Sequence, residues 1–264
     1  MLKINYYQKL ILIKSSMSKD INKYWDDYQS IYSFEDYLKI YREQRMISFL
    51  EEYKPKTVLE IGCGFMPGFL NYKDFQQYTI IEPGIRAFEN AKKLSTKLNG
   101  INLINNFFEE SYEEIKKTRF DCIVSTGVLH ETKTPDKFLK LINSCMNKDT
   151  KTYINVPNAK SLHKLIAKEM GIIDSLFNKS DRNIKLEQTT IYDAEKLKSQ
   201  LKKNIPGIKI RDCSSFFLKP FTHDQMMSCL NHKIINKNLI DALNKISDIF
   251  PENGCELACI FGIE

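Results

Sequence analysis

Residues 58–68 read VLEIGCGFMPG, and residues 80–84 read IIEPG. Each stretch is a short apolar run that leads into a turn containing glycine. In the first turn, the missing side chains would let a ligand approach the backbone closely. Glu82 ends the second run twenty positions after Gly62, where a carboxylate can accept both hydroxyls of a ribose. The two stretches therefore predict a nucleotide-type cofactor site at the carboxyl ends of neighbouring strands.

The same alternation of short apolar runs and amphipathic stretches continues along the chain and indicates an α/β fold with a parallel sheet. Strands are predicted at 57–61, 78–81, 101–104, 121–125, 152–156, 208–218 and 256–263. Helices are predicted at about 69–75, 86–98, 135–145, 161–170, 194–201 and 224–249.

Particular residues support three of these helices. Thr134 is expected to cap a helix that has Pro135 at its first position, and Asp193 is expected to cap the helix that follows it. In the helix at 86–98, Ala87, Ala91 and Leu94 are predicted to face inward.

Segments outside this alternation divide the chain. Residues 1–54 are predicted to form a helical cover, and 55–264 the main domain, with an insertion at about 158–190. The first sixteen residues are interpreted as an extension before a second start at Met17. Tyr24, Trp25, Tyr28, Tyr41 and Arg45 either line a lid over the site or pack onto the sheet.

Composition limits the class of protein. The chain has 264 residues, 42% of them hydrophobic and 27% charged, with a net charge of +6. It can bury a core, which excludes wholesale disorder, and the charge is too mild to indicate a nucleic-acid partner. Its seven cysteines form no CxxC pair and no apolar run approaches the ~20 residues of a membrane span, so a cytoplasmic protein without a metal is predicted.

Beyond these patterns, the spacing Glu60-x-Gly62-x-Gly64 resembles the first motif of the class I S-adenosylmethionine-dependent methyltransferases. A dinucleotide fingerprint instead needs a glycine where this chain has Pro67. The resemblance covers about residues 55–157 and implies a Rossmann-like doubly wound sheet of seven strands, mostly parallel, with the last strand antiparallel. It also implies S-adenosylmethionine as the cofactor. The cofactor-binding residues that it implies are Glu60, Gly62, Cys63, Gly64, Gly68, Glu82, Pro83, Asn106, Phe107 and Ser125.

Glu60 has a second interpretation, in which it holds the glycine loop through backbone hydrogen bonds. The sequence also departs from the family at Met66, where a third glycine is common.

Residues 155–163, 170–171 and 217–220 resemble a methyltransferase subgroup from bacterial surface-polysaccharide clusters. That likeness implies methylation of an oxygen on a small acceptor that is sugar- or nucleotide-linked or phosphorylated. The residues predicted to bind the substrate are Asn155, Asn158, His163, Lys219 and His223. The alternative for Lys219 and His223 is a solvated charge near a strand end. The motif of DNA amino methyltransferases is missing at 125–128, which read STGV.

His130 is the preferred base for an alcohol acceptor, with Glu131 to orient it and His163 as a second candidate. The alternative for His130 is a structural histidine that bonds a loop carbonyl, and an acceptor that is already ionised needs no base. Two other functions stay open, an NAD-dependent reductase or epimerase and a non-catalytic cofactor-binding partner subunit. The sequence does not indicate an oligomeric state.

Overall fold

The structure is a computed structural model that describes residues 34–264. The predictions for the N-terminal extension, Tyr24, Trp25 and Tyr28 lie outside the described residues. One sheet of seven strands has the order β3-β2-β1-β4-β5-β7-β6. Only β7 runs antiparallel to its neighbours, as predicted, because it pairs antiparallel with both β5 and β6.

The predicted strands are all present. Their bounds are β1 Thr57–Ile61, β2 Gln77–Ile81, β3 Ile101–Ile104, β4 Cys122–Thr126, β5 Lys151–Pro157, β6 Ile208–Phe216 and β7 Glu256–Ile263. The helices are α1 Glu35–Tyr53, α2 Ile85–Ser95, α3 Tyr112–Ile115, α4 Pro135–Cys145, α5 Leu162–Glu169, α6 Asp181–Lys185, α7 Ala194–Asn204, α8 His223–Asn231 and α9 Lys237–Lys245.

The sheet is buried on both faces, because side chains alternate along each strand. Val58 packs into a core with residues of α1, whereas its neighbour Leu59 packs into a second core with residues of α4 and α7. The strand order reverses direction between β1 and β4, and an open α/β sheet forms a ligand crevice at such a switch point.

Of the two predicted helix caps, one is confirmed and one is wrong. Asp193 accepts a hydrogen bond from the Lys196 N–H at 2.9 Å and caps α7, as predicted. The Thr134 cap is wrong, although Pro135 does begin α4. Thr134 has φ −129° and ψ 70°, which is not the extended backbone of an N-cap, and its hydroxyl accepts nothing from the first turn.

Three further expectations need correction. In place of the helix at 69–75 there is a 3₁₀ turn, Gly68–Leu70, after which the Tyr72 hydroxyl donates to the Pro55 carbonyl at 2.8 Å and holds an irregular loop. Leu94 is 39% exposed, because α2 packs through its two alanines. The stretch at 224–249 is divided between α8 and α9.

Within residues 34–264, no helix is long and apolar enough to cross a membrane.

Candidate active site

A cavity of about 1110 Å³ opens at the carboxyl ends of the central strands. Its lining comes from the turn after β1, the ends of β2, β4 and β5, helix α1, the insertion, and the segment between β6 and α8. Single ligand pockets are usually about 300–1,000 Å³, so this cavity has room for two small molecules side by side.

The glycine turn after β1 lines one end of the cavity. Gly62 has φ +76° and Gly64 has φ +54°, in the left-handed region that favours glycine. A Cβ on Gly62 would lie 2.5 Å from Cγ2 of Val128 in the loop after β4. The turn therefore needs glycine here both for its backbone conformation and for the close approach of the two loops.

Glu82 lies beside this turn, as predicted, and is only 3% exposed. Its Oε2 accepts the Gly64 N–H at 2.9 Å, and its Oε1 accepts the Gly84 N–H at 2.8 Å. Burial raises the pKa of the Glu82 carboxyl, while these backbone hydrogen bonds oppose that rise. Glu82 also interacts with the backbone N–H and the thiol of Cys63, and it lines the cavity together with Pro83.

Glu60 holds the loop, in agreement with its second interpretation, while also touching the cavity. Its Oε2 accepts the Gly68 N–H at 3.0 Å and the Tyr78 hydroxyl at 2.9 Å. Burial raises the pKa of Glu60 to about 7. Gly68 itself is a packing glycine, because a Cβ there would lie 2.4 Å from the Tyr78 hydroxyl and 2.8 Å from the Met46 methyl.

Five predicted ligand-binding residues are not among the residues of 34–264 that line the cavity. They are Gly68, Asn106, Phe107, Ser125 and Asn155. Asn106 accepts the Phe107 N–H at 2.9 Å, and both side chains are half-buried after β3. Asn155 donates to Glu256 Oε2 at 3.1 Å and to the Leu257 carbonyl at 3.2 Å, so its amide links β5 to β7.

The remaining predicted cofactor contact, Cys63, lines the cavity, and burial raises the pKa of its thiol well above the usual value. On the other side, Asn158 lines the cavity but uses its amide to hold the loop before β7. It donates to the carbonyls of Glu252 and Gly254, each at 2.8 Å.

His130 and Glu131 lie in the loop after β4 and line the middle of the cavity. The Gln188 side-chain carbonyl accepts from Asn183, which turns the Gln188 amide nitrogen toward His130 Nε2 at 3.1 Å. Glu131 Oε1 lies 3.5 Å from the same imidazole nitrogen. His130 is therefore held by the insertion, and its carbonyl accepts the Thr189 N–H at 2.9 Å.

His163, Lys219 and His223 meet at the other end of the cavity. The Lys219 carbonyl accepts the His163 N–H at 3.0 Å, and the Lys219 ammonium lies 2.9 Å from His223 Nδ1. Burial, aided by the charge of Lys219, lowers the pKa of both imidazoles, that of His163 to about 2. The lowered pKa favours the neutral form of both imidazoles and weakens His163 as a base.

The sequence matches a family of known activity. A family profile described as a methyltransferase domain matches residues 37–204, more than half of the chain.

The chain belongs to this methyltransferase family.

It is an S-adenosylmethionine-dependent methyltransferase, and the alternatives of an NAD-dependent reductase and a non-catalytic subunit are set aside. No protein of curated function matches the sequence.

Several solved structures share the fold of this methyltransferase. The plantazolicin methyltransferase BamL, in complex with a triazolic desmethylPZN analog and SAH, aligns with a TM-score of 0.53 and 20% identity, over 83% of this chain and 84% of that one. A SAM-dependent methyltransferase from Archaeoglobus fulgidus aligns with a TM-score of 0.50 and 16% identity, over 83% and 93%. PKMT2 from Rickettsia typhi, in complex with AdoHcy, aligns with a TM-score of 0.50 and 16% identity, over 80% of this chain and 49% of that one. At these identities the likeness concerns the fold.

The described residues of the methyltransferase fit its cofactor. The turn at Gly62 and Gly64 presents backbone without side chains, and Glu82 supplies a buried carboxylate beside it that lines the cavity. These are the groups that a ribose and an amino acid moiety require.

Sequence analysis missed several side chains that line the cavity of the methyltransferase. They are Glu35, Arg42, Arg182, Gln188 and Glu256. Glu35 is 3% exposed and binds Arg42 of its own helix, Arg182 of α6 at 3.0 Å and His223 of α8 at 3.2 Å. No local pattern could have indicated these contacts, because Glu35 and His223 are 188 residues apart.

Proposed function

We propose that this methyltransferase methylates an oxygen of a small acceptor, sugar-linked or phosphate-bearing, in the synthesis of a bacterial surface polysaccharide. One observation carries the proposal: a single cavity contains the glycine turn and Glu82 at one end and His130, Glu131 and the insertion further along. The likeness of residues 155–163 and 217–220 to enzymes of polysaccharide clusters supports the acceptor class.

The cofactor end of the cavity binds and orients S-adenosylmethionine. S-adenosylmethionine, when bound, supplies a methyl group activated by a positively charged sulfur. Gly62 and Gly64 leave the backbone open to the cofactor's amino acid moiety, and Glu82 accepts hydrogen bonds from its ribose. Because displacement at carbon needs the reacting atoms about 3–3.5 Å apart and aligned, rigid placement by the turn contributes directly to the rate.

His130 is the group that takes the proton of an alcohol acceptor. Its Nε2 accepts from the Gln188 amide in this structure, so Nε2 carries the lone pair and Nδ1 the hydrogen. An acceptor hydroxyl that replaces the Gln188 amide would meet the same lone pair. The neighbouring Glu131 carboxylate, 3.5 Å away, then stabilises the imidazolium.

Two variants test this role. The purified enzyme is incubated with S-adenosylmethionine and a panel of nucleotide sugars and phosphorylated metabolites, and S-adenosylhomocysteine release is measured. His130→Asn should lower kcat about 100-fold or more at neutral pH, since general base catalysis contributes about 10²–10⁴. The exposed His232, on the C-cap of α8, provides the control variant His232→Asn, which should keep full activity.

Unchanged turnover by the His130 variant would remove the base from the mechanism. Methylation of nitrogen or carbon acceptors, with none on oxygen, would contradict the proposed function itself.

A further inference from the structure

Lys219 is a buried cation in the wall of the cavity. Its side chain is only 2% exposed, in the segment between β6 and α8. Its ammonium donates to His223 Nδ1 at 2.9 Å. Among residues 34–264, no carboxylate lies within 4 Å of this ammonium. An uncompensated ammonium at such a depth is strongly unfavourable, because it has lost its hydration without gaining an opposite charge.

A second lysine, Lys164 on α5, adds to this surplus of positive charge. Its ammonium lies 3.5 Å from the Leu176 carbonyl, and within the described part of the chain it too makes no ion pair. Burial lowers the pKa of both lysines, that of Lys219 to about 8. The charges of Lys164 and Arg182 lower the pKa of Lys219 further, while Cys255 and Glu256 oppose this effect.

The nearby acids are already engaged by arginines. Glu35 binds Arg42, Arg182 and His223. Glu256 lies 3.5 Å from Arg42 and also accepts the Asn155 amide. Since both carboxylates are shared in this way, neither forms an ion pair with Lys219 or Lys164 in the described part of the chain.

His163 adds a neutral donor to the same wall of the cavity. Its Nδ1 is buried and, within the described residues, has no hydrogen-bond partner. Its backbone N–H donates to the Lys219 carbonyl, so the first turn of α5 is held next to this lysine. A neutral imidazole with hydrogen on Nδ1 can donate to an anionic oxygen.

We propose that Lys219, Lys164 and His163 form a subsite for an anionic group of the methyl acceptor, a carboxylate or a phosphate. The inference rests on the proposed function for the meaning of the cavity, and it narrows the acceptor class. A bound anion would supply the missing negative charge and accept from two ammonium groups and one imidazole. Charge-assisted hydrogen bonds of this kind are short and strong.

The test uses inorganic phosphate and acetate as probes, titrated at constant ionic strength into the full chain. Thermal unfolding and calorimetry are measured for the wild type, for Lys219→Met and for Lys179→Met, a matched control at an exposed lysine of the cavity lining. At least one anion should raise the Tm of the wild type and of the Lys179 variant. The Lys219 variant should bind that anion about tenfold more weakly or worse.

Without any anion, Lys219→Met should also melt at or above the wild-type temperature, because it removes an uncompensated buried charge. Lys164→Met is the second variant, in case Lys219→Met does not fold. It should also weaken the binding of the same anion. A response to phosphate alone or to acetate alone identifies which acidic group the acceptor carries.

Equal anion affinity in the wild type, Lys219→Met and Lys164→Met would overturn the subsite. A wild type whose Tm responds to neither anion would overturn it as well. S-adenosylhomocysteine binding is measured on the same samples and should be unchanged in Lys219→Met. If the wild type does not bind S-adenosylhomocysteine, the proposed function is contradicted. The anion titrations still test the subsite in that case, because they do not depend on the cofactor.

Discussion

Glu60 and Glu82 are buried carboxylates at the ends of adjacent strands, yet their contacts differ. Glu60 accepts from Gly68 and Tyr78 and thereby stabilises the loop after β1. Glu82 accepts from the N–H groups of Gly64 and Gly84 and also lines the cavity. Substitution should therefore affect mainly stability at Glu60, but both stability and cofactor affinity at Glu82.

Glu82→Gln should lower the affinity for S-adenosylmethionine by about 10–100-fold, because hydrogen bonds to a charged group contribute about 1.5–3 kcal/mol. Glu82→Ala should lose as much affinity and also destabilise the fold by about 1–3 kcal/mol, since the N–H groups of Gly64 and Gly84 lose their acceptor. Calorimetry and urea unfolding separate the two effects. Cofactor affinity that survives in both variants would remove Glu82 from the ribose site.

Glu60 should make the stability depend on pH. Its pKa is raised from 4.5 to about 7 by burial, so the folded state holds a proton that the unfolded chain releases within this window. The stabilisation is complete below 4.5 and is lost as the pH rises through 7. Glu60→Gln should remove this dependence, which amounts to roughly 3 kcal/mol across the window.

The measurement is urea unfolding of both proteins at several pH values on either side of this window. The exposed Glu51 on α1 offers a control, Glu51→Gln, whose pH profile should follow that of the wild type. Parallel profiles for wild type and the Glu60 variant would contradict the assignment.

Among the elements, α1 and the insertion enclose the cavity because one side chain joins them. Glu35 at the start of α1 binds Arg182 of α6 at 3.0 Å and His223 of α8 at 3.2 Å. Helix α6 has only five residues and no buried side chain, so packing alone contributes little to its position. The Glu35–Arg182 ion pair ties α6 to α1 beside the cavity.

Glu35→Gln should therefore destabilise the protein by about 3 kcal/mol, because it leaves Arg42 and Arg182 with less compensating charge in a partly buried site. Amide hydrogen exchange should rise in residues 181–185, where the tie is lost. The neighbouring Asp36→Asn is the control, with an expected change within about 0.5 kcal/mol, since its pair with Lys39 is exposed. Equal exchange in residues 181–185 of both variants would show that Glu35 does not hold α6.

In the whole molecule, three distant parts of the chain converge on one cavity at the switch point between β1 and β4. They are α1, the insertion and the segment before α8. Ligands that bind here contact several elements at once, so binding should stabilise the fold as a unit.

S-adenosylhomocysteine at about 100 times its Kd should raise the free energy of unfolding by about 2.7 kcal/mol, and NAD should not. Gly62→Ala should lose this stabilisation, since it combines a positive φ with a 2.5 Å approach to Val128. Gly171→Ala is matched to it, with φ +69° and no atom within 4 Å, and should keep the effect. Scanning calorimetry of the three proteins measures both results, and equal stabilisation by NAD would count against the cofactor site.

The fold class and the cofactor end of the site could be predicted from the sequence because their signals are local. A strand followed by Gly62 and Gly64, and an acid at the tip of the next strand, are determined by backbone conformation and by the period of apolar residues. The alternation of strands and helices then leaves few possible topologies. The seven-stranded, mostly parallel sheet and its antiparallel last strand agree with what the family resemblance implies.

The acceptor end was decided by the tertiary structure, because its groups come from segments that no local pattern connects. Only the folded chain brings Glu35, Arg182 and Lys219 to one wall, and directs the Asn155 side chain toward β7 rather than into the cavity. Whether a carboxylate neutralises a given lysine depends on distances between these segments. The sequence by itself determined the glycine turn after β1 and the acid at the tip of β2, because both depend on local backbone conformation. The folded arrangement decided which buried charges line the cavity, because these charges come from distant segments.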